Sequence, residues 1–452
     1  MARFTKENVP SFSAEVYQNK FLPEGAEEVN AIVTVTSTGG GTSGGVPLVS
    51  DASGVHSAGR VSASRAAVVI MVDCSGSMNY PEAKLRNAGE ATAAAVDTLH
   101  DGVSFAVVAG THKVREIYPG DGRLAVAGEE TRSAAKTALR GLTAGGGTAI
   151  STWLRCADRL LATSEAPIKH GVLLTDGKNE HEEPVELRTA LEECAGRFTC
   201  DARGVGTDWE VREVTSIASA LLGTADIVAD SEGLAEDFTR MMAEAMGKEV
   251  ADVNLRLWTP QGAEIRYVKQ VAPTVEDLSA RRTDTGPRTG DYPTGSWGDE
   301  SRDYHVCVRV PAASVGQEML AARISLTRPQ PDGTSPSLAQ GLIKAVWTDD
   351  VAAGTTLNPQ VAHYTGQAEL ARVIQQGLEL RKSGDEDGAT SKLGRAVQLA
   401  SASGNEDTAK LLAKVVDVVD AAAGTVRLKA RVTDADEMTL ETRSTKTVRV
   451  KK

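Results

Sequence analysis

The sequence has few aromatic residues, few cysteines and no long apolar segment. Aromatic residues make up 4% of the 452 positions, so the core has to be built from aliphatic side chains. Five scattered cysteines without a CxxC pair argue against a disulfide scaffold and against a thiolate zinc site. No run of 18 apolar residues occurs, so no transmembrane helix is expected.

Positive charge is also in short supply. The chain has 49 Lys and Arg against 61 Asp and Glu, which gives a net charge of −12. Because nucleic-acid binding needs clustered Lys and Arg, no nucleic-acid partner is expected. The first residues, MARFTKE, are not followed by an apolar segment, so we expect no signal peptide and no membrane insertion. The scattered cysteines fit a reducing compartment, and we predict a cytoplasmic protein.

Buried strands and amphipathic helices alternate in the middle of the chain. Residues 66–72 form a continuous apolar run, which is typical of a strand buried on both faces. Helical and strand patterns then alternate up to a predicted last helix at 233–246. This order predicts an α/β fold with a doubly wound, mostly parallel, Rossmann-like sheet.

Strand patterns with period two flank this region on both sides. Residues 12–18 and 29–36 are predicted strands, and a Gly/Ser-rich linker follows them. Residues 250–357 alternate in the same way and predict an antiparallel β-sandwich, with a long polar loop at 281–303. Because two strands cannot make a stable sheet alone, we predict that the N-terminal strands join this sandwich and that the α/β domain is inserted in it.

The end of the chain changes character once more. Three amphipathic patterns punctuated by Gly384 and Gly404 predict a small three-helix bundle, and a basic segment follows. The predicted division is N-terminal strands and linker (1–62), α/β domain (63–249), remainder of the sandwich (250–357), helical region (358–424) and extended basic tail (425–452).

Oxygen donors follow two buried strands and precede one helix of the α/β domain. Asp73, Ser75 and Ser77 come directly after the first buried strand, and Asp176 ends another. Thr148 follows three glycines and precedes a predicted helix. Because ligands bind at the carboxyl ends of parallel strands, we expect these side chains to meet at one edge of the sheet. Carboxylates and hydroxyls are ligands for a hard cation, so we predict that the five hold Mg²⁺ (or Mn²⁺).

A simpler interpretation is a serine-rich turn that caps the first helix, since Asp and Ser are good N-caps. That interpretation explains Asp73 to Ser77 but leaves Thr148 and Asp176 without a role.

The pattern Asp73-x-Ser75-x-Ser77, then Thr148, then Asp176 resembles a von Willebrand factor A (VWA) domain with a metal-ion-dependent adhesion site, over roughly residues 65–248. The resemblance is to the bacterial intracellular type. It implies that Mg²⁺ (or Mn²⁺ or Ca²⁺) binds at these residues and that an Asp or Glu of a protein partner completes the coordination shell. Integrins also place such a domain inside a β-sandwich, so the predicted insertion is similar to theirs in architecture.

The leading functional hypothesis is therefore a divalent-metal-dependent protein-interaction module, acting as a scaffold or adaptor in cytosolic signalling or stress response. The family implies an AAA+ ATPase or kinase–phosphatase components as partners. One alternative is a substrate-presenting subunit of an AAA+ ATPase. Another is a metal-dependent hydrolase that uses Ser75, with His170 or His181 as the base. Since the three loops that carry these residues form neither a GxSxG elbow between a strand and a helix nor a Walker loop, we predict that the protein is not an enzyme.

Four other residues near the motif have two interpretations each. Cys74 is either a redox group or a small buried residue, and we favour burial. His181 lies in an acidic stretch, where it either modulates partner binding or belongs to a solvated loop. Trp153 and Trp209 are predicted to pack in the core or at the rim, with a contact surface as the alternative.

Overall fold

The structure, a computed structural model, describes residues 10–38, 66–330 and 332–450. Most of the predicted Gly/Ser-rich linker lies outside these residues. Two compact units are present. Of the described residues, the first unit contains 10, 11, 38, 66–251 and 296–299, and the second contains 12–37, 252–295 and 300–450 apart from 331.

The strands are, in chain order, β1 (Ser11–Gln18), β2 (Phe21–Pro23), β3 (Glu28–Thr38), β4 (Ala66–Asp73), β5 (Ser104–Gly110), β6 (Val114–Tyr118), β7 (Ala125–Val126), β8 (Ile168–Thr175), β9 (Thr199–Val205), β10 (Ala225–Val228), β11 (Asn254–Trp258), β12 (Glu264–Ala272), β13 (Glu276–Asp277), β14 (Thr283–Gly286), β15 (Thr289–Pro293), β16 (Glu300–Arg309), β17 (Glu318–Thr327), β18 (Ser337–Thr348), β19 (Val416–Asp420) and β20 (Thr425–Leu428). The α-helices are α1 (Ala83–Thr98), α2 (Glu129–Leu139), α3 (Ile150–Ala162), α4 (Pro184–Cys194), α5 (Val211–Ala220), α6 (Leu234–Met246), α7 (Val351–Thr355), α8 (Pro359–Lys382), α9 (Glu386–Ser403), α10 (Glu406–Val415) and α11 (Asp434–Arg443).

The first unit is built around a seven-stranded sheet. Its order is β10-β9-β8-β4-β5-β6, with β7 also paired to β5. The central strands run parallel, and β6 and β7 are antiparallel additions at the edge. Every residue of β4 is buried, as expected for a central strand covered on both faces. Val68, Ile70 and Val72 of β4 share a core with α1 and α6. The predicted doubly wound α/β fold is thereby confirmed.

The second unit contains the two sheets of the predicted sandwich. Their orders are β1-β3-β16-β12-β13 and β14-β15-β11-β17-β18-β2. β3 pairs antiparallel with β16 over the whole length of β16, from Glu300 to Arg309. β2 adds to β18. The N-terminal strands therefore complete sheets whose other strands follow the α/β domain in sequence, which confirms the predicted insertion.

The prediction of a long polar loop at 281–303 is wrong. β14 and β15 form a hairpin there, and β15 pairs with β11. The segment looks like a loop because its buried residues include a charged one. Asp291 is 7% exposed and forms a two-pronged ion pair with Arg256, at 2.7 and 2.8 Å. A charge that is neutralised in this way can occupy a strand.

Three helices, α8, α9 and α10, lie in the predicted helical region. A shared core joins their apolar faces, including Leu370, Ile374, Leu393 and Leu412. The structure differs from the extended tail predicted for 425–452. β20 pairs with β19 there, and α11 follows. Because α11 has mostly polar residues and buries only Met438, Leu440 and Thr442, its periodicity in the sequence is weak.

Among the described residues, no helix is long and apolar enough to cross a membrane.

Candidate metal centre

The predicted site residues lie at the carboxyl ends of adjacent parallel strands. Asp73 is the last residue of β4, and Asp176 directly follows β8, which pairs with β4 in parallel. Ser75 and Ser77 follow in the turn after β4. Thr148 lies just before α3 and is buried. The sheet topology therefore brings all five residues to one edge, as the strand order predicts.

Main-chain hydrogen bonds fasten the serine turn to the glycine-rich loop. The Gly145 amide donates to the Cys74 carbonyl at 2.8 Å, and the Gly76 amide donates to the Gly146 carbonyl at 2.9 Å. The Cys74 amide in turn donates to the carbonyl of Gly110, the last residue of β5. Gly146 has a φ of +80°, which favours glycine over residues with a Cβ. Main-chain hydrogen bonds therefore join the two loops directly at the site.

The three hydroxyls converge on one small region beside Asp176. Ser75 Oγ and Ser77 Oγ are 3.0 Å apart, and Ser77 donates to Asp176 Oδ1 at 2.7 Å. A Cβ placed on Gly177 would lie 3.2 Å from Ser77 Oγ, 3.5 Å from Thr148 Oγ1 and 3.9 Å from Ser75 Oγ. A glycine at this position therefore leaves room where the hydroxyls meet.

The carboxylate of Asp73 is fully buried and held by two donors. The Ser75 amide donates to Oδ1 and the Thr175 hydroxyl donates to Oδ2, both at 2.7 Å. Burial raises the pKa of Asp73 to about 6, although these hydrogen bonds oppose the shift. The charge of Asp176 nearby adds to the rise of the Asp73 pKa. Thr175 is a site residue that the sequence analysis missed.

A buried lysine pairs with the second carboxylate. Lys84 Nζ lies 2.5 Å from Asp176 Oδ2, and the two side chains are 7% and 0% exposed. Lys84 is the second residue of α1. Its position in the first turn is the sequence signal that could have identified it, because a cation there is disfavoured by the helix dipole unless it has a partner.

Two histidines support the glycine-rich loop from outside. Thr148 donates its amide to Nδ1 of His181 at 3.2 Å, and Gly147 donates its amide to Nδ1 of His112 at 3.3 Å. A Cβ on Gly147 would lie 2.2 Å from the His181 ring. His181 is exposed, as the solvated-loop interpretation expects, but it also contacts the site. The sequence pattern does not point to His112.

The acidic stretch beside His181 also has a structural task. Asn179 accepts a hydrogen bond from the Ile150 amide at 2.9 Å, and Glu182 accepts one from the Ser151 amide at 3.1 Å. Both bonds satisfy free amides at the start of α3. The helix that follows Thr148 is thereby fixed to the loop that follows Asp176.

The contact-surface alternative for the two tryptophans is wrong. Trp153 and Trp209 are 0% and 3% exposed, and their indole N–H groups donate to the carbonyls of Thr111 and Gly206. Cys74 is buried as favoured, and burial raises the pKa of its thiol to about 12. A thiol with so high a pKa is a poor nucleophile, which argues against a redox role.

The donor set fits a hard divalent cation. Two carboxylates and three hydroxyls offer oxygen ligands alone, which suits Mg²⁺, Mn²⁺ or Ca²⁺ better than a soft metal. Within the described parts of the chain, no group of three or more His, Cys, Asp or Glu side chains could hold a metal. Three neutral hydroxyls therefore distinguish this centre from one built mainly of charged or nitrogen ligands.

Comparison with known proteins agrees with this fold. The family described as von Willebrand factor type A domain matches residues 66–227, and the family described as von Willebrand factor type A C-terminal domain matches residues 398–444. No curated protein matches the chain.

Two solved structures extend the comparison over the whole chain. The von Willebrand factor type A protein from Catenulispora acidiphila is 49% identical, with 99% of each chain covered and a TM-score of 0.90. The ArnB paralog VWA2 from Sulfolobus acidocaldarius is 15% identical, with 95% of this chain and 97% of that chain covered and a TM-score of 0.59, which shows a similar fold. The chain belongs to the von Willebrand factor type A family.

Proposed function

We propose that the chain is a protein-binding module that holds a divalent cation, Mg²⁺ in the first instance, at the first-unit site. Members of this family commonly mediate protein–protein interaction. The observation that supports the proposal best is the convergence of Ser75, Ser77 and Thr148 around the point that a Cβ on Gly177 would occupy, next to Asp176. When bound, the cation would offer a coordination position to an Asp or Glu of the partner.

The residues of the chain have separate tasks in this proposal. Asp176 and the three hydroxyls supply oxygens at the sheet edge. Both oxygens of Asp73 accept hydrogen bonds, so it holds the serine turn in place and adds negative charge. Neutral hydroxyls do not cancel the charge of the cation, which favours an anionic ligand from outside.

The contacts of Ser75 support binding rather than hydrolysis. Its hydroxyl is 3.0 Å from Ser77 Oγ. His170 Nδ1 lies 2.9 Å from Thr199 Oγ1, and His181 Nδ1 accepts the Thr148 amide. Both histidines predicted as a base for the hydrolase alternative are thus engaged elsewhere, whereas a nucleophile needs its base within hydrogen-bond reach.

The predicted partners, an AAA+ ATPase or kinase–phosphatase components, stay proposals, as does the adaptor role. A cytoplasmic site of action also belongs to the proposal. All five cysteines are buried and free, which agrees with a reducing compartment.

The test compares two threonine variants. Thr148→Val removes one converging hydroxyl, whereas Thr92→Val removes a buried hydroxyl on α1 that donates to the Ala88 carbonyl. We expect calorimetry to show Mn²⁺ binding in wild type and Thr92→Val and much weaker binding in Thr148→Val. Partner proteins that are retained on a column of immobilised wild type or immobilised Thr92→Val should be released by EDTA. Binding of Mn²⁺ that is equal in all three proteins would contradict the proposal.

A further inference from the structure

Lys84 is a feature of the site that a metal centre does not require. Its ammonium lies 2.5 Å from Asp176 Oδ2 and 3.8 Å from Asp208 Oδ2. Asp208 is 72% exposed, so the buried Asp176 is the stronger partner. The residue itself is 5% exposed and lies in the first turn of α1, where the helix dipole disfavours a cation. Burying an ammonium there is costly without the carboxylate.

The pair changes the formal charge of the site. Asp73 and Asp176 contribute two negative charges, and Lys84 removes one of them, while the three hydroxyls are neutral. A divalent cation held there therefore keeps one positive charge that the chain does not balance. Without Lys84, the two carboxylates would balance it completely.

The pair also occupies an oxygen that a metal centre would use. Asp176 Oδ1 accepts the Ser77 hydroxyl, and Oδ2 is taken by Lys84. Asp73 has both oxygens engaged as well. A cation that enters the site competes with an ammonium already in place for the carboxylate nearest to the hydroxyls.

We propose that Lys84 couples metal binding to partner binding at this site. Its ammonium competes with the cation for Asp176, so firm retention of the cation depends on a carboxylate from the partner. The inference rests on the proposed function, since it assigns the partner's anionic group and a coupling between metal and partner. Metal and partner then bind together, and each raises the affinity for the other by the same factor.

The test uses Mn²⁺ and acetate as probes, measured by calorimetry and by electron paramagnetic resonance. Lys84→Met keeps the aliphatic stem and removes the charge. We expect it to bind Mn²⁺ alone roughly tenfold more tightly than wild type, because a nearby positive charge is gone. Saturating acetate should tighten Mn²⁺ binding in wild type and have a much smaller effect in Lys84→Met.

Two further variants serve as a charge-matched control and as a replacement for Lys84→Met. Lys136→Met removes a surface ammonium that pairs with Asp97 at 2.7 Å, so it matches the change in net charge and should bind Mn²⁺ like wild type. Lys84→Gln removes the charge and keeps a hydrogen-bond donor on the side chain. It should behave like Lys84→Met, and it replaces that variant if Lys84→Met does not fold.

The thermal unfolding midpoint gives a readout that is independent of partner binding. Without metal, Lys84→Met should unfold at a lower temperature than wild type, and Mn²⁺ should raise its midpoint by more. If wild type binds Mn²⁺ and the two Lys84 variants bind it equally or more weakly, the inference is wrong and the proposed function stands. If no divalent cation binds to any of these proteins, the proposed function fails and the inference fails with it.

Discussion

Each unit of the chain has a buried carboxylate centre, and the two centres differ in what surrounds the carboxylate. In the second unit, Asp303 is 2% exposed. It accepts hydrogen bonds from Thr34 and Tyr364, both at 2.5 Å, and from two nitrogens of Arg449, both at 2.9 Å. Four donor groups, two of them on the Arg449 guanidinium, satisfy this carboxylate completely, so the cluster needs no further ligand.

In the first unit, the oxygens outnumber the cations. Asp73, Asp176 and three hydroxyls belong to this centre, and it holds one ammonium, that of Lys84, which pairs with Asp176. A hydroxyl is an acceptor as well as a donor, so this centre keeps acceptor capacity after its internal bonds are made. Burial of a carboxylate alone therefore does not identify a binding site. The nature of its neighbours, donors in one unit and further oxygens in the other, separates a structural cluster from a ligand centre.

The largest expected effect comes from breaking the second-unit centre. Asp303→Ala leaves Arg449, Tyr364 and Thr34 without their shared acceptor. The buried Tyr364 hydroxyl loses its acceptor, which costs about 1–3 kcal/mol, and loss of the charged hydrogen bonds from Arg449, which is 42% exposed, adds about 1.5–3 kcal/mol. The second unit should therefore unfold at a lower urea concentration. Hydrogen exchange at β3 and β16 measures this, and Mn²⁺ affinity should not change.

Asp417→Ala is the matched control, because Asp417 belongs to an exposed pair with Lys429 at 3.8 Å. It should cost less than about 1 kcal/mol. Equal protection of β3 and β16 in Asp303→Ala and Asp417→Ala would show that the Asp303 centre does not stabilise the sandwich.

This contrast also marks what the sequence could predict. The five site residues are spaced as a known motif, and the strand order places them together, so the oxygen set is predictable. The pairing of Lys84 with Asp176 is not, because the two residues are 92 positions apart and only the fold joins them. The pairing of Asp303 with Arg449, 146 positions apart, cannot be predicted from the sequence for the same reason.

The same limit explains the two errors in secondary structure. The hairpin at β14 and β15 contains an ion-paired Asp291, and α11 has few apolar residues. A strand whose charged residue is neutralised by a neighbouring strand resembles a loop when only the sequence is considered. Periodicity detects segments with an apolar face, and it fails where a short polar element is stabilised by pairing with distant residues.

A second prediction concerns acid stability of the second unit. His305 is 4% exposed, and its Nε2 lies 2.9 Å from Asn30 Oδ1. Burial, with a contribution from Lys269, lowers the pKa of His305 to about 4. Because the folded-state pKa lies below the unfolded value of about 6.5, stability is complete above that pH and is lost as the pH falls towards 4.

The expected loss from His305 approaches about 3 kcal/mol at the acid end of this range. His305→Gln removes the titrating group, so its free energy of unfolding should depend less on pH between 6.5 and 4. Urea unfolding at several pH values measures this. His363→Gln tests a half-buried imidazole of the same unit, and an equal flattening of the pH profile in both variants would rule out His305 as the cause.

A third prediction concerns the first-unit centre. Gly177→Ala places a methyl group 3.2 Å from Ser77 Oγ and 3.5 Å from Thr148 Oγ1, where the hydroxyls converge. We expect Mn²⁺ affinity to fall by about tenfold or more, equivalent to about 1.4 kcal/mol. Calorimetric titration measures the affinity, and circular dichroism checks that the fold is kept.

Gly145→Ala is the control within the same set of loops, since a Cβ there has no heavy atom within 4 Å. Its Mn²⁺ affinity should match wild type. Comparable affinities for Gly177→Ala and wild type would place the metal somewhere other than the convergence of the hydroxyls.

The smallest effect on stability is expected at the rim of the first-unit centre. Tyr80 is 79% exposed, and its amide donates to the Ser77 carbonyl, so an aromatic side chain stands in solvent beside the proposed ligands. Tyr80→Ala should change the free energy of unfolding by less than about 0.5 kcal/mol. Because tyrosines are common anchors in protein interfaces, Tyr80→Ala should retain less partner than wild type in the presence of Mg²⁺.

Val126→Ala is the control, at a side chain 50% exposed on β7, and it should retain as much partner as wild type. Unchanged retention in Tyr80→Ala would mean that the partner contacts the site through other residues than this one.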